Sequence, residues 1–196
     1  MTNSLPADPA RRFWVTATSV FGGAGLVVTA VPFVASLSPS EKARALGAPV
    51  EFGLQSLQSG DMATVEWRGK PVFVVRRSQA MLDSLARHDE LLADPNSQRT
   101  NEPDYARNGA RSIKPEFLVV VGICTHLGCI PGFRPTPGSA ELGASWPGGF
   151  YCPCHGSKFD LAGRVFKNVP APTNLEVPPY QFASASTLLV GVDQAA

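Results

Sequence analysis

Apolar and polar positions divide the chain into three stretches of unlike pattern. From Phe13 to about Val34 no residue is charged, and this is the only such run in the chain. At 1.5 Å per residue, about 22 residues reach roughly 33 Å, enough to cross a hydrocarbon core. From Ser36 to Pro49 the sequence reads SLSPSEKARALGAP, small and polar with prolines at its bounds. That composition marks a linker, helical at most around Glu41 to Leu46. From Val50 onward, short apolar runs alternate with Gly and Pro, the pattern of antiparallel strands and turns.

Several elements of this third stretch can be placed. Thr64–Trp67 and Val72–Arg76 flank Arg68-Gly69-Lys70-Pro71 and predict a hairpin. Ser78 is positioned to cap a helix that turns Met81, Leu82 and Leu85 inward and ends before Asp94-Pro95. His88 then falls on that helix among Arg87, Asp89 and Glu90, where a solvated histidine is expected. Residues 96–113 are polar, carry Arg99, Arg107 and Arg111, and are expected to form an exposed loop. Phe117–Ile123 is a continuous apolar strand. Residues 130–151 hold Pro131, Pro135, Pro137 and Pro147 and read as an irregular insert without Cys or His. Phe159–Phe166 predicts a second hairpin turning at Ala162-Gly163, and Thr187–Val192 a closing strand.

The expected fold class is an all-β head of antiparallel sheets with one or two short helices, carried on a single N-terminal transmembrane helix. The expected boundaries are a lead at 1–12, an anchor at 13–35, a flexible hinge at 36–49 and a head at 50–196.

Three uses compete for the first apolar run. A cleaved secretory signal would have a shorter apolar core and an A-x-A-like exit, whereas the exit here is Pro32-Phe33-Val34-Ala35-Ser36. A buried core helix would seldom run so far without a polar face. A retained anchor fits best. Arg11 and Arg12 then stay cytoplasmic, and everything after Ser36 lies across the membrane. Gly22, Gly23 and Gly25 thin one face of the helix, for packing against a neighbouring helix or as glycines that lipid tolerates. The net charge of +1 is spread without a basic stripe, which argues against nucleic acid as a partner.

The chemistry is concentrated in two boxes, CTHLGC from Cys124 to Cys129 and CPCHGS from Cys152 to Ser157. They hold all four cysteines and two of the three histidines, which marks a metal site. Zinc accepts two Cys and two His, but its common spacings place two residues between paired cysteines and about three to five between paired histidines. Neither spacing occurs. Each box instead supplies a Cys and a His, Cys124 with His126 and Cys152 with His155, and leaves one cysteine over, Cys129 and Cys154. Two thiolates on one iron and two imidazoles on the other form the ligand set of a Rieske 2Fe-2S centre.

The boxes resemble those of the Rieske iron-sulfur subunit of quinol-oxidising cytochrome bc complexes, in its proteobacterial form. The resemblance runs from Arg11 onward and implies one 2Fe-2S cluster and a bacterial inner membrane with the head in the periplasm. In it Cys124 and Cys152 bind the inner iron, His126 and His155 bind the outer iron, and Cys129 pairs with Cys154 in a disulfide, which fits an oxidising compartment. It implies a cluster-binding part at about 118–175, a docking tip at Leu127 and Gly128, and a hinge about which the head swings. Ser157 sits where the family has a hydroxyl bonded to a bridging sulfide.

The implied partners are a cytochrome b subunit, a c-type haem subunit, quinol (taken as ubiquinol) and the membrane, in a dimeric complex. The implied reaction is quinol-cytochrome c reduction by the complex, with His155 as the catalytic residue that takes a proton as the cluster takes an electron. Two positions depart from the family pattern. Phe159 stands where many members have a tyrosine hydroxyl on a ligand sulfur, and Val169 opens Val169-Pro170-Ala171-Pro172 where members often have Gly. The missing tyrosine hydroxyl predicts a potential near the middle of the Rieske span of roughly −150 to +300 mV.

Because such clusters are built in the cytoplasm, Arg11-Arg12 also reads as a twin-arginine export address, with plain positive-inside charge as the alternative. Phe13 follows the pair one position earlier than the usual pattern. Two other functions are compatible with the boxes: the small Rieske subunit of another periplasmic oxidoreductase such as an arsenite oxidase, or a zinc-stapled structural module.

Overall fold

The computed structural model describes residues 8–99 and 102–193. The polar lead at 1–7, positions 100 and 101 within the expected exposed loop, and the end of the head at 194–196 lie outside the described residues. The chain divides into two compact units, Met1–Ala45 and Leu46–Ala196.

The first unit is dominated by helix α1, Pro9–Ser36. Asp8 caps it, its carboxylate accepting from the Ala10 N–H at 3.0 Å, and Pro9 takes a first-turn position where its missing N–H costs nothing. At 1.5 Å per residue its 28 residues span about 42 Å. No residue of the helix is buried, and Phe13, Trp14, Phe21, Leu26 and Phe33 all stand exposed. The Thr18 hydroxyl donates to the Trp14 carbonyl at 2.8 Å, Ser36 to the Phe33 carbonyl at 2.7 Å, and Thr29 to the Gly25 carbonyl. These hydroxyls are therefore satisfied within the helix, as a lipid environment requires. A short helix α2, Glu41–Leu46, follows.

The second unit contains three antiparallel three-stranded sheets. In the first, β3 (Lys70–Arg76) lies between β2 (Met62–Trp67) and β4 (Phe117–Val121). Val72 to Val75 and the whole of β4 are buried, which explains why both read as continuous apolar runs and not as alternating ones. Burial of each such side chain contributes about 1.5–3 kcal/mol. The β2–β3 turn has positive φ at both Arg68 and Gly69, the geometry that matches strand twist in a two-residue hairpin. In the second sheet β9 (Thr187–Val190) lies between β1 (Val50–Gly53) and β8 (Tyr180–Phe182).

The third sheet is small: β5 (Gly132–Arg134), β6 (Gly149–Tyr151) and β7 (Lys158–Phe159). Phe133, Phe150 and Phe159 pair across it in one row. Phe73 of β3 stacks on Phe150 with ring centroids 5.7 Å apart, which fixes the third sheet against the first.

Four expectations need correction. The helix capped by Ser78, α3, covers only Gln79–Leu85, well short of Asp94. His88 lies beyond its end and is buried, stacked on Phe166 with Nε2 3.3 Å from Asp160 Oδ2. The loop at 96–113 is not simply exposed, for Ser97, Glu102, Ala106, Arg111 and Ser112 are buried. At 130–151 the chain is not wholly irregular, since β5 and β6 form its ends and Trp146 is buried, with its indole N–H on the Arg134 carbonyl at 3.0 Å.

Candidate metal centre

The apolar strand β4 delivers the chain through Gly122 and Ile123 to the first box, and β6 and β7 hold the second between them. The two boxes fold into equivalent loops. In the first, the Cys124 N–H donates to the Cys129 carbonyl at 2.7 Å and the Gly128 N–H to the Cys124 carbonyl at 3.0 Å. In the second, the Cys152 N–H donates to the Ser157 carbonyl at 2.8 Å and the Gly156 N–H to the Cys152 carbonyl at 3.0 Å. Both loops turn on a glycine with positive φ, +83° at Gly128 and +77° at Gly156, where a side chain would be strained. The repeat Cys-x-x-x-Gly carried this equivalence in the sequence, and Gly156 was not singled out there. The side chains on the scaffold are permuted: His126 is two residues after its cysteine, while His155 is three after its own.

The segment 169–173 fastens both loops. The Thr125 hydroxyl donates to the Thr173 carbonyl at 2.7 Å, and the Ala171 N–H donates to Ser157 Oγ at 3.1 Å. Ser157 is fully buried and accepts that bond, so its own hydroxyl proton remains free to donate elsewhere. Cys129 and Cys154 are joined by a disulfide with Cα atoms 6.7 Å apart, tying loop to loop.

The remaining donors are two cysteines and two histidines. Cys124 and Cys152 are both buried. Burial pushes the Cys152 thiol up, which a bound cation would offset. The His126 and His155 rings meet edge to face with centroids 4.8 Å apart, and His155 is exposed. His126 Nδ1 is buried without a hydrogen-bond partner. An orphaned buried polar atom of this kind costs about 1–3 kcal/mol unless something binds it. The sulfurs of Cys129, Cys152 and Cys154 also lie within 4.8 Å of one another, but two of these are consumed by the disulfide and cannot ligate. Two interior thiols and two imidazoles nearer the surface fit an iron pair with unlike ends.

A set of buried ions behind the second loop had no signal in the sequence pattern. Arg77, Arg111 and Arg164 are all buried, and they clasp the turn at 160–164. Arg77 Nη1 donates to the Leu161 carbonyl at 3.1 Å, and Arg111 Nη1 to the Ala162 carbonyl at 2.9 Å. Arg164 Nε donates to Asp160 Oδ2 at 2.8 Å, and Arg111 Nη2 reaches Glu102 at 2.7 Å. Burial lowers the Arg77 guanidinium to about 10. For Asp160 burial acts upward, but the hydrogen bond from His88 and the charge and hydrogen bonds of Arg164 outweigh it and hold the carboxyl below its ordinary value. Tyr180 is buried with its hydroxyl accepting from the Ile113 N–H at 2.9 Å, and burial raises its pKa.

Comparison with known proteins agrees with the site. Residues 50–180 match the Rieske [2Fe-2S] domain family. The ubiquinol-cytochrome c reductase iron-sulfur subunit of Allochromatium vinosum is 56% identical over 184 residues, covering 94% of this chain and 89% of that protein. The subunit of the same name from Blastochloris viridis is 40% identical, covering 97% and 98%. That from Bradyrhizobium diazoefficiens is 39% identical, covering 97% and 100%. The shared domain implies one 2Fe-2S cluster, and the apolar helix α1 together with these full-length relatives makes the chain a single-pass membrane protein. From its paired Cys-His loops to its membrane helix, the chain belongs to the family of Rieske iron-sulfur subunits of ubiquinol-cytochrome c reductase.

Proposed function

We propose that this chain takes one electron from a quinol, ubiquinol, at a cytochrome b subunit and passes it to a c-type haem subunit of a dimeric quinol-cytochrome c reductase. The observation that carries the reading is the placement of His155. It is exposed and meets His126 edge to face, while the thiols of Cys124 and Cys152 are buried.

In this reading Cys124 and Cys152 hold the inner iron, and His126 and His155 the outer one. When bound, the cluster supplies one-electron chemistry at a potential raised by neutral imidazole ligands. The outward ring nitrogen of His155 accepts a hydrogen bond from the quinol hydroxyl and takes its proton. Leu127 is 70% exposed and Ile130 60%; with Gly128, Leu127 forms an apolar tip that excludes water where quinol is held. The free hydroxyl proton of Ser157 donates toward the cluster sulfur and stabilises the reduced state. The anchor at 13–35 leaves Arg11 and Arg12 in the cytoplasm and the head in the periplasm. The hinge at 36–49 lets the head at 50–196 serve both haem partners in turn.

The test is ubiquinol-cytochrome c turnover in membranes lacking the native subunit and supplied with this chain. Turnover that appears with wild type and disappears with His155→Ala, while b- and c-type haems copurify with both, supports the reading. Turnover retained in His155→Ala, or a chain that copurifies with no haem, contradicts it.

A further inference from the structure

The sulfur chemistry of the site has a second consequence. Cys152 lies outside the disulfide, yet its Sγ is within 4.8 Å of both bridge sulfurs, those of Cys129 and Cys154. A thiolate that close to a disulfide can attack it without any external oxidant. Cys154 is exposed and Cys129 half-buried, so water solvates a sulfur leaving from Cys154 better than one leaving from Cys129. Cys124 lies outside the group of three close sulfurs.

We propose that Cys129, Cys152 and Cys154 form an exchange trap, in which iron on Cys152 is what preserves the Cys129–Cys154 pairing. With no iron to hold it, the Cys152 thiolate attacks Cys129 Sγ. The Cys129–Cys154 bond breaks, a Cys129–Cys152 bond forms, and Cys154 leaves with the electron pair and takes up the proton that Cys152 gave up. One disulfide and one thiol are present before and after, so the step is redox-neutral. It moves the free thiol from the interior to the surface and uses up a ligand position, so a chain that has exchanged cannot take back a cluster. The proposal rests on the reading that Cys152 is an iron ligand.

The test follows thiols and not activity. The full chain in detergent is stripped of iron by a chelator without oxygen, held at neutral pH over the minutes-to-hours range of uncatalysed disulfide rearrangement, quenched in acid and mapped with N-ethylmaleimide. The label is expected to begin on Cys124 and Cys152 and to move to Cys124 and Cys154. Cys124→Ser is expected to exchange like the stripped wild type and Cys152→Ser to keep its original bridge, although both variants lack a complete ligand set. Label that stays on Cys124 and Cys152, or a bridge lost equally in Cys152→Ser, overturns the exchange. In the iron-loaded chain no movement is expected. Movement there at the rate of the stripped chain would overturn the protective part and the assignment of Cys152 as a ligand, while leaving the exchange itself standing.

Discussion

The loop at 124–129 and the loop at 152–157 close through the same two backbone hydrogen bonds, but unlike material lies behind them. The first is fed by β4, five buried apolar residues paired to β3. The second hangs between strands of three and two residues, and the turn that follows β7 is clasped by three buried arginines. The first therefore rests on apolar burial, which is non-directional and tolerant. The second rests on paired charges, which are intolerant of losing a partner. The surface sides differ as well, for the first loop presents Leu127 and the second His155. One backbone motif used twice thus yields an asymmetric centre.

The largest effects are expected at the ligands. Cys124→Ser, His126→Ala, Cys152→Ser and His155→Ala should each abolish cluster incorporation, read as loss of visible absorbance and of two irons per chain, whichever loop is hit.

Next comes the support behind each loop. Asp160→Asn leaves Arg164 and His88 without their buried carboxylate and should destabilise the head by about 3–5 kcal/mol in denaturant unfolding. Leu118→Ala in β4 should cost about 2–5 kcal/mol, without selective loosening of the second loop. Because the folded Asp160 carboxyl sits below its ordinary value, its contribution is present at neutral pH and fades as pH falls through the folded value. The acid limb of the stability curve should flatten in Asp160→Asn.

Cutting the link between the loops is the third test. Cys129→Ser with Cys154→Ser should lower head stability by about 2–4 kcal/mol. Gly128→Ala and Gly156→Ala should cost similar amounts, about 1–2 kcal/mol each, since both occupy the same left-handed position. A large difference between them would argue against the equivalence of the loops.

The smallest effects separate tuning from support. Ser157→Ala should lower the reduction potential by roughly 40 mV, the one-electron equivalent of about 1 kcal/mol, and Phe159→Tyr should raise it by a comparable amount. Thr125→Val, which removes the bond to Thr173, should change stability by about 1 kcal/mol and leave the potential in place. Redox titration of the three variants, with denaturant unfolding of Thr125→Val, reads these effects.

The long helix, the hairpin turning at Arg68-Gly69, the β4 strand and the two boxes were legible in the sequence because each is written in neighbouring residues: an uncharged run, a turn pair, an apolar run, a Cys-His spacing. What escaped was written in distant ones. His88 finds Asp160 across 72 positions and Arg77 finds Leu161 across 84. Charged residues are so seldom buried unpaired that a local reading assigns them to solvent. Arg111, fully buried against Glu102 and the 160–164 turn, looks in sequence like any polar loop residue. The likeness of the loops was obscured for another reason: the backbone repeats as Cys-x-x-x-Gly while the histidines sit at different offsets.

Ligation of one Rieske cluster by both loops has a direct spectroscopic readout. Low-temperature electron paramagnetic resonance on ascorbate-reduced membranes carrying the full chain, alongside the same membranes with His155→Ala, tests it most directly. A reduced Rieske signal is expected with wild type and is expected to vanish in the variant. No signal from wild type, with zinc bound at one per chain in the purified protein, would contradict it.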